Sequence, residues 1–366
     1  MNKVYNFSAS PATLPDEVIS KATVGLSNYK GKGISVMEID TASKEYEELL
    51  KTCERLLREL LGIPQNYKVL FVQGNETAQF SAVPMNLLSE HRCADYIISG
   101  QFSKNASTEA KKYGDIAIAA SSAGASPTYS TVPTTKRSDF RPDADYVHIC
   151  YNNGIYGTKY HYVPDTGNIP LVADMTSYLL SEPFEVSKFA LIYAGAQCNI
   201  GAGGLSVLIL RDDFLGGARG DTPALLNYKA LAEPGSIFNK PPALSLYMSK
   251  LMLEWIASVG GLEEIKRRNE RKASLIYDYL DSQNYYTAPV DKKCRSMMNV
   301  VFVTGDAALD KKFALEAGKK GLINLKGHSS VGGMRASIYN AMPYEGVEAL
   351  VKFMKEFAQH NIKLDG

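Results

Sequence analysis

Seven short apolar runs punctuate the first 210 residues, and they restrict this chain more than anything else in it. They lie at Lys68–Gln73, Tyr96–Ser99, Ile116–Ala119, Tyr146–Cys150, Leu171–Ala173, Ala190–Tyr193 and Leu205–Leu210. Short, nearly continuous runs suit strands buried on both faces. Helical patterns fall between several of them, as over Lys104–Tyr113. Strands alternating with helices predict an α/β fold with a mainly parallel sheet covered on both sides. Ahead of the first run, Tyr46, Leu49, Leu50, Cys53, Leu56, Leu57, Leu60 and Leu61 follow helical spacing, and Gly62 is placed to end that helix.

After residue 240 the pattern changes. Two long helices are predicted over Ala243–Val259 and Leu262–Leu280, divided by Gly260-Gly261. Strands at Asn299–Val303, Leu322–Leu325 and Met334–Ile338 follow, with helices at Ala307–Lys319 and Tyr344–His360. With 366 residues the chain is too long for one core. The expected division is a large domain over 16–261 and a smaller α+β domain from 262–366 together with 1–15.

A net charge of +1 gives no electrostatic case for nucleic acid or a membrane surface. No apolar run approaches the roughly 20 residues that span a bilayer, and MNKVYNFSASPATLP has no apolar signal core. A cytoplasmic location is expected. Five cysteines, Cys53, Cys93, Cys150, Cys198 and Cys294, stand far apart with no CxxC pair, which argues against disulfides and against a metal site.

The phrases NFSASPATLP, SVMEI, KVLFVQG, IYAGAQCNIG, AEPGSIFNKPP and KGHSSVGGMRASIYNAMP together resemble phosphoserine aminotransferases over nearly the whole chain. The resemblance implies a homodimer of the pyridoxal-phosphate (PLP) transferase fold, type I, with active sites at the subunit interface. It implies amino transfer between glutamate and 3-phosphohydroxypyruvate. In that family Asp174 would hold the pyridinium nitrogen, and the turn after the sixth strand, with Gln197, would present a lysine for the Schiff base.

Here that turn presents Cys198. Other departures fall where the family binds its ligands. Asp40, Thr41 and Ala42 stand where a Ser-His-Arg triplet is usual, and Asn75-Glu76-Thr77 where a small-residue turn takes the cofactor phosphate. Phe102 stands for a ring-stacking tryptophan, Gly154 for a threonine, Lys240 for a threonine and Ser329 for a phosphate-binding arginine. Thr176 and Tyr178 replace smaller or more polar residues. Asp174, Asn239, His328 and Arg335 are kept.

The residues leave several readings open. Asp174 ends a strand, where α/β sheets bind ligands, or caps the next helix. Glu76 competes with a phosphate for the free N–H groups of a helix N-terminus, or simply caps its own helix. Cys198 is a lost Schiff-base lysine, a nucleophile with His328 as its possible base, or an inert buried thiol. Lys240 is a second amine for carbonyl chemistry or a solvated lysine. Arg335 suits a substrate carboxylate.

The leading expectation is an engineered or repurposed scaffold whose native transamination is lost and which does not hold PLP covalently. The alternatives are a cysteine-nucleophile enzyme acting on esters or enones, and a non-catalytic pocket for a neutral or cationic small molecule, suggested by Asp40, Glu76, Tyr178 and Phe102. A natural, diverged relative gives the same pattern.

Overall fold

The computed structural model describes residues 3–233, 236 and 238–361. Its centre is a seven-stranded sheet. In chain order the strands are β1 (Tyr67–Gln73), β2 (Cys93–Ile98), β3 (Asp115–Ser121), β4 (Tyr146–Cys150), β5 (Leu171–Asp174), β6 (Leu191–Gly195) and β7 (Leu205–Arg211). Their order across the sheet is β1-β7-β6-β5-β4-β2-β3. Only β7 runs antiparallel to its neighbours. The expected α/β class with a mainly parallel sheet is therefore what is found, and each expected strand lies within three residues of its place.

Helices cover both faces. α1 (Asp16–Ser27), α2 (Lys44–Leu61) and, after the sheet, α5 (Ala243–Ser258) share one apolar cluster with the sheet. α3 (Glu76–Leu87) and α4 (Gln101–Ala110) form the other. α4 starts earlier than the apolar spacing suggests, because Ser103 Oγ accepts from the backbone N–H groups of Ser99 and Gly100 and caps the helix there.

α2 shows why these segments are helical. Ser43 Oγ accepts from Tyr46 N at 3.2 Å, Glu45 and Glu47 sit in the first turn, and Gly62 closes the helix at φ +62°. Tyr46, Leu49, Cys53, Leu56, Leu57 and Leu61 form the buried stripe, each large side chain contributing roughly 1.5–3 kcal/mol. Ser43→Ala removes only the cap and is expected to cost about 1 kcal/mol in urea unfolding, with the denaturant slope unchanged.

α6 (Gly261–Asp281) leads into a third cluster built with α7 (Ala307–Lys319), α8 (Tyr344–His360) and the antiparallel pair β8 (Asn299–Phe302) and β9 (Met334–Ser337). The N-terminal Tyr5–Asn6 pairs in parallel with Leu322–Ile323, so the start of the chain joins this C-terminal part. Lys272 of α6 is buried and donates to the carbonyls of Ile338 and Tyr339 at 2.9 and 2.7 Å. These bonds fix the segment that follows β9. No helix among the described residues is long and apolar enough to cross a membrane.

Candidate active site

Parallel strands leave a crevice beyond their carboxyl ends. In this protein β4, β5 and β6 end side by side there, with Cys150 opposite Asp174 and Asp174 opposite Tyr193. A cavity of about 250 Å³ opens at that edge. Of the candidates named from sequence, Glu76, Phe102, Gly154, Asp174, Thr176, Gln197, Cys198, His328 and Arg335 line it.

Asp174 is 3% exposed, and its Oδ1 accepts from Thr176 N at 2.9 Å. Burial, reinforced by the nearby Glu76, pushes its pKa up to about 7. Glu76 is the first residue of α3 and is 7% exposed. It turns inward rather than capping its own helix, and Oε2 accepts from Gln197 Nε2 at 2.7 Å. The wall thus carries two buried acids side by side.

Cys198 sits in the turn after β6, packed against Met298 and Tyr339. Its thiol donates to Ala9 O at 3.7 Å. Burial pushes the thiol up to about 12; Glu76 and Asp174 push the same way, against a Tyr339 hydrogen bond and the charge of Arg335. His328 lines the same cavity, but its Nδ1 is engaged with Ser330 Oγ. The described partners of the thiol are a carbonyl and a phenol, and neither is a base at neutral pH.

Arg335 projects from β9 and donates from Nη1 to Gly154 O at 3.1 Å. It forms no ion pair among the described residues, and burial lowers its pKa. Phe102 lies half-buried in the first turn of α4 and lines the cavity.

The remaining candidates stand elsewhere. Asn75 and Thr77 are exposed, and the Thr77 hydroxyl donates to Asn75 Oδ1. Ser329 is exposed in the loop beside His328. Lys240 Nζ donates to Thr41 O at 3.0 Å, and Thr41, Ala42 and Lys240 line a second hollow. Asn239 accepts from Gln73 N and donates to Leu225 O. Asp40 and Tyr178 are outside the cavity for local reasons. Asp40 accepts from Ala42 N in its own turn, and Tyr178 packs on Tyr151 at 4.6 Å.

Tyr339, Cys150 and Asn152 also line the cavity and were not foreseen as site residues. Tyr339 had a readable signal. Tyr339 stands two residues beyond the end of β9, in step with Arg335 and Ser337, and Asn299 Nδ2 bonds both Ser337 Oγ and Tyr339 OH. Cys150 is recognisable only once β4 and β5 are known to be neighbours. Among the described residues no group of three or more His, Cys, Asp or Glu side chains could hold a metal ion.

An α/β chain with its cavity at the carboxyl edge of the sheet has the architecture of PLP-dependent aminotransferases. Residues 4–350 match the family described as Aminotransferase class-V. The phosphoserine aminotransferase of Nitrosomonas europaea is 49% identical, over 99% of this chain and 100% of its own length. That of Bacillus cereus is 46% identical with the same coverage. The solved phosphoserine aminotransferase from Bacillus circulans subsp. alkalophilus superposes with a TM-score of 0.93 at 42% identity, covering 98% of this chain and 99% of that one. The chain belongs to the phosphoserine aminotransferase family.

PLP is the cofactor of that class, and the cavity fits it in part. Asp174 could face a pyridinium nitrogen and Phe102 a ring. Two features disagree. No lysine is among the lining residues, so the amine for a Schiff base is missing from the wall. The first residue of α3, beside the N–H groups that would ordinarily receive an anion, is Glu76, whose carboxyl group turns to the cavity and bonds Gln197. The residues present do not fit a covalently held PLP.

Proposed function

We propose that this protein is a phosphoserine aminotransferase scaffold in which Cys198 replaces the Schiff-base lysine, and that the cavity now serves to bind a small molecule without amino transfer. The composition of the cavity wall carries the reading: two buried carboxyl groups, a neutral thiol and no lysine. Amino transfer through PLP needs a primary amine to hold the cofactor and shuttle a proton. A neutral thiol hydrogen-bonded to a carbonyl does neither. Arg335, half-buried and without an ion pair among the described residues, is the group suited to a ligand carboxylate, and Phe102 to an apolar or aromatic part.

The working unit in this reading is a cytoplasmic homodimer. Thr41, Ala42, Asn239 and Lys240 lie away from the cavity of their own chain, and a subunit interface is where such residues could complete the cavity of a second copy. The departures from the family pattern mark a repurposed site.

The test is an absorbance spectrum of the desalted protein after incubation with PLP, beside an assay of amino-group exchange between phosphoserine and 2-oxoglutarate. The expected result is no visible Schiff-base band and no exchange. A band that persists, or measurable exchange, overturns the reading and directs attention to Lys240 as the amine.

A further inference from the structure

Two acids, Asp174 and Glu76, and the Gln197 amide meet at one wall of the cavity, and neither acid forms an ion pair among the described residues. Asp174 uses one oxygen for Thr176 N. Glu76 uses one for Gln197 Nε2. That bond sets the orientation of the Gln197 amide, and its Oε1 is left fully buried without a hydrogen-bond partner among the described residues. The Gln197 amide and Glu76 Oε2 crowd the same spot: a Cβ placed on Gly195 would meet Gln197 Oε1 at 2.5 Å and Glu76 Oε2 at 2.6 Å. Buried to that degree, Gln197 Oε1 is out of a ligand's reach, and the groups left to meet one are the carboxyl groups of Asp174 and Glu76, both of which line the cavity.

The same geometry disfavours an anion. The free N–H groups at the start of α3 would ordinarily receive one. The first residue of that helix instead brings its own carboxyl group, 7% exposed and turned toward the cavity. A phosphate at this position would meet Glu76 and Asp174 together, with like charges at close range in a medium poorer than water at screening them.

We propose that Glu76 sets the ligand class of this cavity, admitting a small organic cation with N–H donors and turning away one that carries a phosphate. The ammonium or ring N–H groups lie against the carboxyl groups of Asp174 and Glu76. A carboxylate at the far end of the ligand, where present, faces Arg335. This rests on the reading above, that no covalent PLP fills the cavity.

Pyridoxamine and pyridoxamine 5′-phosphate form a suitable probe pair. They share one ring and one amine and differ by the phosphate. Neither carries an aldehyde, so neither can form a Schiff base with any lysine of the protein. Isothermal titration of the full-length protein should give tighter binding of pyridoxamine than of its phosphate by at least about tenfold. In Glu76→Gln the ratio should move toward the phosphate form by about tenfold or more, and Glu76→Ala should move it the same way. Thermal melting checks that both variants are folded.

A ratio unchanged by removal of the charge overturns the proposal. So does tighter binding of the phosphate form by the parent, or no binding of either probe. A shift in Glu76→Gln that Glu76→Ala does not share would trace to the new amide and also count against it. A visible Schiff-base band with PLP overturns the earlier reading and this proposal with it, whereas an unchanged ratio with no band overturns the proposal alone.

Discussion

Iodoacetamide is expected to alkylate Cys198 about a thousandfold more slowly at pH 8 than it alkylates free cysteine. The attacking species is the thiolate, so the rate follows its population. A free thiol near pKa 8.5 is about one quarter ionised at pH 8. Burial pushes Cys198 up to about 12, so only about one thiol in ten thousand is ionised there. A nucleophilic role needs a base within about 3 Å. Instead the thiol donates to Ala9 O at 3.7 Å, and among the described residues no hydrogen bond joins it to His328, whose Nδ1 is held by Ser330. All five cysteines are buried, so the modification must be read peptide by peptide in a mass spectrometer. The rate at Cys198 should keep rising beyond pH 10 without a plateau. A rate within tenfold of free cysteine at pH 8 would return the cysteine-nucleophile reading to first place.

The buried runs were readable because each strand is nearly continuous in apolar residues, and an element buried on both faces leaves that mark on the sequence. Leu191–Gly195 and Tyr146–Cys150 are of this kind, with every residue buried. The antiparallel direction of β7 left no such mark, since the composition of LSVLILR is the same whichever way the strand runs. The cavity divides in the same way. Asp174, Glu76, Gln197 and Cys198 lie at or just beyond strand ends or at a helix start, where position along the chain already suggests the carboxyl edge of the sheet, whereas Arg335 reaches the cavity from β9, a strand of a separate pair. Asp40 and Tyr178 looked like pocket residues by charge and size alone. Their places were decided by a turn hydrogen bond and by an aromatic cluster that no spacing rule reports. Lys240 and Thr41 were placed near each other only by folding, through a bond spanning most of the large sheet's sequence.

Asp174→Asn is expected to stabilise the protein at pH 8 by roughly 2–4 kcal/mol and to leave its stability nearly unchanged at pH 4. The unfolded chain releases the Asp174 proton near pH 4, whereas the folded chain holds it up to about pH 7. Between those values the folded state binds the extra proton, so its stability is fully present at low pH and falls as pH rises toward 7. Above that the loss is complete and constant. Burial is the first cause and the neighbouring Glu76 the second, so the penalty belongs to the ionised carboxylate and not to the side chain's shape. An asparagine keeps the oxygen that accepts from Thr176 N, and its amide can donate toward Glu76. Urea unfolding of both proteins from pH 4 to pH 8.5 gives the comparison directly. The parent should lose stability along that range, and the two curves should separate progressively. An asparagine variant no more stable than its parent at pH 8 would mean that the carboxylate has a counter-charge in solution. A protein that keeps a destabilising ionised group in a cavity commonly keeps it for a ligand. Saturating pyridoxamine should therefore narrow the gap at pH 8, because the cation stabilises the parent and has lost one of its two acids in the variant.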